Sequence, residues 1–285
     1  MKKKITSLIC IMLLTLIAVR VTAKETINWM VVDWPPLMIL EGDDKGKGLA
    51  DVFLTLYQQN LPQYKHHNMM MNFARYWHGA KNGEPICNLL TLKNQGREDY
   101  MHFSIPAAMT LPNSIIMKQE NIAKLGNPKS YSLAKLMVDK QFIGILESGR
   151  SYSQQIDVLL NEHQASSNLI RGVNSARQLI QMLELGRIEY IIEYPYIADY
   201  LRSQYTKQTQ QFGSIGIDEI PPYYLTYVAC PKTDWGKNVI DSVNQMLLKI
   251  RPTPEYRAAN ERWYVYPREI ELIRHVYKTE LLDSR

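Results

Sequence analysis

Beyond an apolar beginning, the chain alternates short β-rich runs with stretches of helical spacing, and this alternation is its strongest signal. Residues 27–32 form the first run, ended by Trp34-Pro35-Pro36 because a proline pair cannot continue a strand ladder. A polar stretch with three glycines, 41–48, leads into 49–59, where Leu49, Val52, Phe53, Leu56 and Tyr57 recur on one helical face. Residues 68–73 predict a second strand, 76–81 a helix ending at Asn82-Gly83, and 86–92 a third strand. Such alternation predicts an α/β architecture, a parallel sheet covered by helices.

A second region repeats the architecture. Residues 114–117 predict a strand leading into it, 142–146 a strand closed by Glu147-Ser148-Gly149, and 153–162 a helix. An amphipathic helix over 176–185 stops at Gly186, and a strand over 188–192 is ended by Pro195. Residues 213–222, with two glycines and two prolines, predict a crossing segment before a strand at 224–229 and a helix at 239–250. The tail, 262–278, is aromatic, basic and partly helical in pattern.

The apolar beginning changes the compartment. Lys2, Lys3 and Lys4 precede a mostly apolar run, 5–19, and Val21-Thr22-Ala23 has the form of a signal-peptidase site, so residues 1–23 are expected to be an export signal that is removed. The run falls short of the roughly 20 apolar residues that a spanning helix needs. Cys10 lies too early, without the preceding small residues, for a lipid-anchored cysteine. Removal leaves about 260 residues, enough for two lobes of about 130 each. It also takes away Lys2, Lys3, Lys4 and Arg20, so most of the +5 formal charge belongs to the leader, and nothing in the remainder points to nucleic acid.

Chemistry-bearing motifs are few. His66, His67, His78, His102, His163 and His275 form no HxxxH or HExxH pattern, and there is no G-x-S-x-G elbow or phosphate-cradling loop, so neither metal nor cofactor is expected. Glu147, Glu189 and Glu193 could pair as acid and base, but nothing in sequence fixes their distances. Cys87 and Cys230 read either as a disulfide, which export permits, or as two buried thiols.

Several landmarks occur in one order. Trp34-Pro35-Pro36-Leu37 is followed by Gly48-Leu49-Ala50-Asp51, by Asn82-Gly83, and by Gly96-Arg97-Glu98 six residues before Phe103-Ser104. Gly144-Ile145-Leu146 precedes Gly149-Arg150-Ser151-Tyr152, and Leu185-Gly186-Arg187-Ile188-Glu189 comes later. In this arrangement the chain resembles the family 3 extracellular solute-binding proteins, whose better-known members bind polar amino acids for ABC importers.

The resemblance implies a type II two-lobed periplasmic binding fold, each lobe a mixed sheet flanked by helices. Residues 24–116 with 217–270 would form the first lobe, 117–216 the second and 271–285 a tail, with hinges near Met117 and Gly216. It also favours a Cys87–Cys230 bridge, because the returning strand lies beside the one that carries Cys87. A monomer is implied, capturing a small, carboxylate-bearing, amino-acid-like solute for an inner-membrane ABC permease. The rival readings are a sensor subunit acting on a membrane receptor and a dehydratase or lyase on the same scaffold.

The expected site follows from the same landmarks. Arg97 can grip a carboxylate with two parallel hydrogen bonds. Thr91 precedes its loop, Trp34 stacks on the solute from above, Tyr152 and Tyr194 close the other side, and Ser151 sits at a helix start that attracts anions. Amino-acid binders place an aspartate for the α-ammonium where this chain has Tyr194, and the nearest carboxylate is Glu193. Arg75, Lys93 and Arg150 are further cations near the same rim, which predicts a cleft richer in cations than in acids.

Overall fold

Strand β1 (Thr26–Val31) buries Ile27, Trp29 and Met30 and is the seed of the first sheet. The computed structural model describes residues 24–148, 150–164, 167–173, 175–207 and 211–283; the expected leader, 1–23, and Gly149 lie outside the described residues. Helix α1 (Leu49–Asn60) turns Leu49, Phe53, Leu54 and Tyr57 onto the sheet, as its spacing predicts. Strand β2 (Lys65–Met70) starts earlier than predicted, because its backbone pairs in parallel with all of β1, from Thr26 opposite Lys65 to Val31 opposite Met70. This ladder outweighs the low β-propensity of the residues 65–68.

Helix α2 (Phe73–Lys81) is capped by the Asn72 side chain, which accepts from the Arg75 amide. Strand β3 (Ile86–Leu92), the short α3 (Gln95–Glu98), β4 (Met101–Phe103) and β5 (Ala108–Thr110) complete the first pass through this lobe. The second lobe begins with β6 (Ser114–Lys118), α4 (Gln119–Lys124), β7 (Ser130–Tyr131), α5 (Leu133–Val138) and β8 (Gly144–Glu147). It continues through α6 (Gln154–Glu162), β9 (Leu169–Val173), α7 (Ala176–Glu184) and β10 (Tyr190–Glu193). Helix α8 (Pro195–Tyr205) and β11 (Phe212–Ile217) finish it. Proline at the first position of α8 opens that helix as well as closing the strand before it, which is why the strand signal concealed the helix signal.

The chain then returns through β12 (Tyr224–Pro231), followed by α9 (Asp234–Ile250), α10 (Pro254–Glu261), α11 (Pro267–Val276) and a π-helical turn (Tyr277–Leu282). The first sheet has the order β2-β1-β3-β12-β4, with β5 also on β12; the second is β7-β11-β6-β10-β8-β9. Both are mixed. Strand β12 is antiparallel to β3, and the bridge between Cys87 and Cys230, 143 residues apart in sequence, ties the returning segment to the lobe it rejoins.

Alternation along β10 shows how the second lobe is filled on both faces. Tyr190 and Ile192 enter one apolar cluster with Ile115, Leu133 and Leu136, while Ile191 enters the other with Leu179, Ile180 and Ile197. Ser114 to Ile116 belong to this sheet, so the first crossing runs through residues 111–113, ahead of Met117, and the second runs through 218–223, after Gly216. The tail is no appendage: Ile273, Val276, Tyr277 and Leu281 are buried in the first-lobe core with Phe53, Val243 and Tyr256. Among the described residues no helix is long and apolar enough to cross a membrane.

Candidate ligand-binding cleft between the lobes

Trp34 reaches the cleft because its loop is clamped. The Trp34 and Met38 backbones exchange hydrogen bonds of 3.1 and 2.9 Å around the cis Pro35-Pro36 bond, and Leu49 N donates to Pro36 O at 3.1 Å. The Asp51 carboxylate accepts from Ile39 N and Gly48 N, both at 2.9 Å. A Cβ on Gly48 would lie 2.6 Å from Leu37 O, so glycine is required for this close approach. The Trp34 indole meets Phe73 edge-on at 5.6 Å and Tyr194 of the second lobe at 6.1 Å.

Arg97 sits in the single turn α3, capped by Asn94, and is 9% exposed. Its Nη1 donates to Leu92 O at 2.6 Å, and its Cζ lies 4.1 Å from the centre of the Trp77 ring. Among the described residues no carboxylate comes within ion-pair distance of it. Burial pulls its pKa below the ordinary arginine value, and Tyr100, Asp157, Tyr76 and Tyr194 oppose that in part, two of them from the second lobe. The group remains a cation at any physiological pH, held close to the facing lobe without a counter-charge.

Arg150 is the opposite case. It is 3% exposed, and its Nη1 and Nη2 donate to the two oxygens of the fully buried Glu193 at 2.6 and 2.7 Å. Nη2 also donates to Asn113 Oδ1 at 3.3 Å, and Asn113 in turn donates to Tyr152 O at 2.8 Å. The guanidinium Cζ lies 4.3 Å from the Trp34 ring centre, 4.5 Å from that of Tyr152 and 5.7 Å from that of Tyr194. Burial works against its charge, but Glu193, with help from Tyr152 and Glu147, more than offsets this and raises its pKa. Glu147 stands 3.8 Å from Arg150; its own carboxyl is pushed up to about 7, chiefly by burial.

Where Trp34 meets Tyr194 the cleft is nearly shut. A cavity of about 50 Å³ remains against Trp34, Leu90, Leu92, Tyr194 and Thr226, with room for a few waters at most. The Trp34 Nε1 and Thr226 Oγ1 atoms on its walls are buried with no hydrogen-bond partner. On one side of Trp34 a space of about 270 Å³ lies between Asp33, Asn72 and Phe73 and the second lobe's Glu147 and Arg177. A groove of about 430 Å³ separates α3 from α6, with Asn94 and Gln95 facing Gln154 and Asp157. A larger hollow of about 640 Å³ belongs to the second lobe alone, beside α7.

The structure brings Trp34, Tyr152, Glu193 and Tyr194 together around Arg150, whereas Arg97 packs on Trp77 of its own lobe. It does not bring in the others. Thr91 alternates against Leu90 and Leu92, which line the cavity, so its side chain lies on the far face of β3. Arg75 is engaged by Glu84 at 2.7 Å outside the cleft, and Lys93 by Glu98 at 2.8 Å. Ser151 donates to Asp157 rather than facing the cleft, and the cap of α6 is Ser153, which accepts from Ile156 N. Of the four expected cations only Arg97 lacks an acidic partner among the described residues, because Arg75, Lys93 and Arg150 each have one; Arg177, which was not expected, adds a second cation without an ion pair among those residues, beside Trp34. Sequence reasoning missed Asn113 and Asp157 as cleft residues and offered Glu147 only as one of three carboxylates able to pair; no local motif marks them for the cleft.

Two lobes, each a mixed sheet flanked by helices, joined by two crossings and meeting at a buried cleft decide the architecture. The fold is that of the type II periplasmic binding proteins. No protein-family model matches the chain, and no curated protein matches it in sequence. Solved structures with this periplasmic-binding fold do match. A putative L-cystine ABC transporter protein from Listeria monocytogenes is 16% identical, aligns over 84% of this chain and 95% of its own, and superposes with a TM-score of 0.66. An ancestral arginine-binding protein bound to arginine is 14% identical over 86% of this chain and all of its own, also at 0.66. The periplasmic VFT2 domain of Bordetella pertussis BvgS is 16% identical over 84% and 93%, at 0.59.

Proposed function

We propose that the chain is an exported, periplasmic solute-binding protein that captures a small carboxylate-bearing solute between its lobes and returns it unchanged to an inner-membrane ABC permease. Arg97 carries this reading: a buried guanidinium, backed by the Trp77 ring, without an ion-paired carboxylate among the described residues, and close enough to the second lobe to feel Asp157 and Tyr194. A fixed cation of this kind is complementary to an anionic group on a small guest. Leu90 and Leu92 suit an apolar body, and Thr226 Oγ1 and Trp34 Nε1 offer unused polar atoms. The solved structures of amino-acid importer proteins with this fold support the same class of ligand.

The cavity of about 50 Å³ walled by Trp34 and Tyr194 is too small for a solute, so capture there requires opening about the crossings at 111–113 and 218–223. Native mass spectrometry of the protein purified without denaturation tests the reading. A co-purified small acid is expected; recovery of only uncharged or cationic guests, each bound without Arg97, would overturn it. In the receptor-coupled reading, the closed form that Trp34 on Arg150 and Tyr196 on Tyr264 at 5.0 Å hold across the lobes is presented to a membrane receptor instead. Pull-down with a permease as against a sensor protein separates the two.

A further inference from the structure

The contacts of Arg150 are those that a free guanidinium compound would need. A planar cation is well held by aromatic rings close to its plane and by a carboxylate that accepts two hydrogen bonds from it. Trp34 and Tyr152 supply the faces, at 4.3 and 4.5 Å, and Glu193 the fork, at 2.6 and 2.7 Å. Asn113, in the first crossing, takes a further hydrogen bond. The site is also composite. Glu193, Tyr152 and Arg150 belong to the second lobe, whereas Trp34 belongs to the first and covers the guanidinium only when the lobes are together. An ion pair serving the second lobe alone would have no use for that indole, because Glu193 already neutralises it.

We infer that the cleft contains a guanidinium-binding site filled in cis, with Arg150 as a resident ligand that closes the lobes in the absence of solute. Trp34 reads the presence of the guanidinium, and the inter-lobe contacts Tyr200 on Trp263 at 5.3 Å and Tyr224 with Gln155 at 3.3 Å form once it is seated. A solute that enters must lift Trp34 from Arg150. The inference stands on Arg150 and its cage and is independent of what Arg97 binds.

Small-angle scattering and thermal melting of the full chain, unfolded, dialysed and refolded to strip any guest, test it. The stripped wild type is expected to be as compact as the same protein before stripping. Arg150→Ala is expected to have a larger radius of gyration and to close again on titration with methylguanidinium, with a saturable upward shift in melting temperature that methylammonium at the same concentration does not give. The wild type is expected to show no such shift, its site being occupied. An open stripped wild type, an Arg150→Ala variant as compact as wild type, or equal responses to the two cations would overturn the inference. Should Arg150→Ala fail to fold, Trp34→Ala decides, since it leaves the Arg150–Glu193 pair intact: an expanded particle is expected, and one as compact as wild type would overturn the inference.

Discussion

Two buried arginines, one on each side of the cleft, have opposite surroundings. Arg150 has a carboxylate fork, an amide oxygen and three aromatic rings; Arg97 has one carbonyl and one ring. Taking a charge out of water is costly unless it is paired. The charge-paired cation can therefore act as structure, even though its Nε has no hydrogen-bond partner, and the cation without a counter-charge is the place where an anionic guest gains most. Residue type alone says nothing about this difference. The partners do, and they come from elsewhere in the chain.

Removing Arg150 is expected to give the largest effect. Arg150→Ala leaves Glu193 buried and unpaired, and breaking such a pair costs about 3–5 kcal/mol, measurable by urea denaturation; replacing both residues with apolar ones of similar volume should recover most of the loss. An unchanged stability would mean that the pair is solvated in solution. Removing the bridge by Cys87→Ser with Cys230→Ser is expected to cost about 2–4 kcal/mol by releasing a long loop, while leaving the cage and Arg97 in place. A cleft that opened together with this loss would show that the two regions are not separable.

Glu147 sharpens the comparison through pH. Burial, with Glu193 adding and Arg150 opposing, lifts its carboxyl from an ordinary 4.5 to about 7, so the folded state holds the proton more tightly than the unfolded chain. The stability it contributes is full below pH 4.5 and is lost as pH rises through about 7. Glu147→Gln should flatten that part of the profile, read as melting temperature against pH; an unaltered profile would place the carboxyl in solvent. The smallest effect belongs to Arg75, whose pair with Glu84 is largely exposed. Arg75→Ala should leave melting temperature and solute affinity within error.

Much of the fold was legible because it rests on local periodicity. Leu49, Phe53 and Tyr57 announced α1, and the strand at 224–229 with the helix at 239–250 announced the return through β12 and α9. Helix α8 was hidden because Pro195 marks a strand stop as well as a helix start, and the tail because the segments it packs on include β5, far back in the chain. In the cleft, Trp34 and Tyr194 meet across the lobes. The misplacement of Thr91 was avoidable: Leu90 and Leu92 flank it, and a strand cannot turn neighbours to the same face. The role of Arg150 had no local signal, since Glu193 is 43 residues away and Trp34 is in the other lobe.

Isothermal titration of a co-purified acid into wild type and Arg97→Ala is the sharpest trial of the proposed capture. Loss of a buried, charge-assisted contact should weaken affinity by about 2 kcal/mol or more, roughly 30-fold, with melting temperature equal to or above that of wild type because a lone buried charge has been removed. Undiminished affinity in a folded Arg97→Ala protein would contradict the assignment of this guanidinium as the solute's anchor.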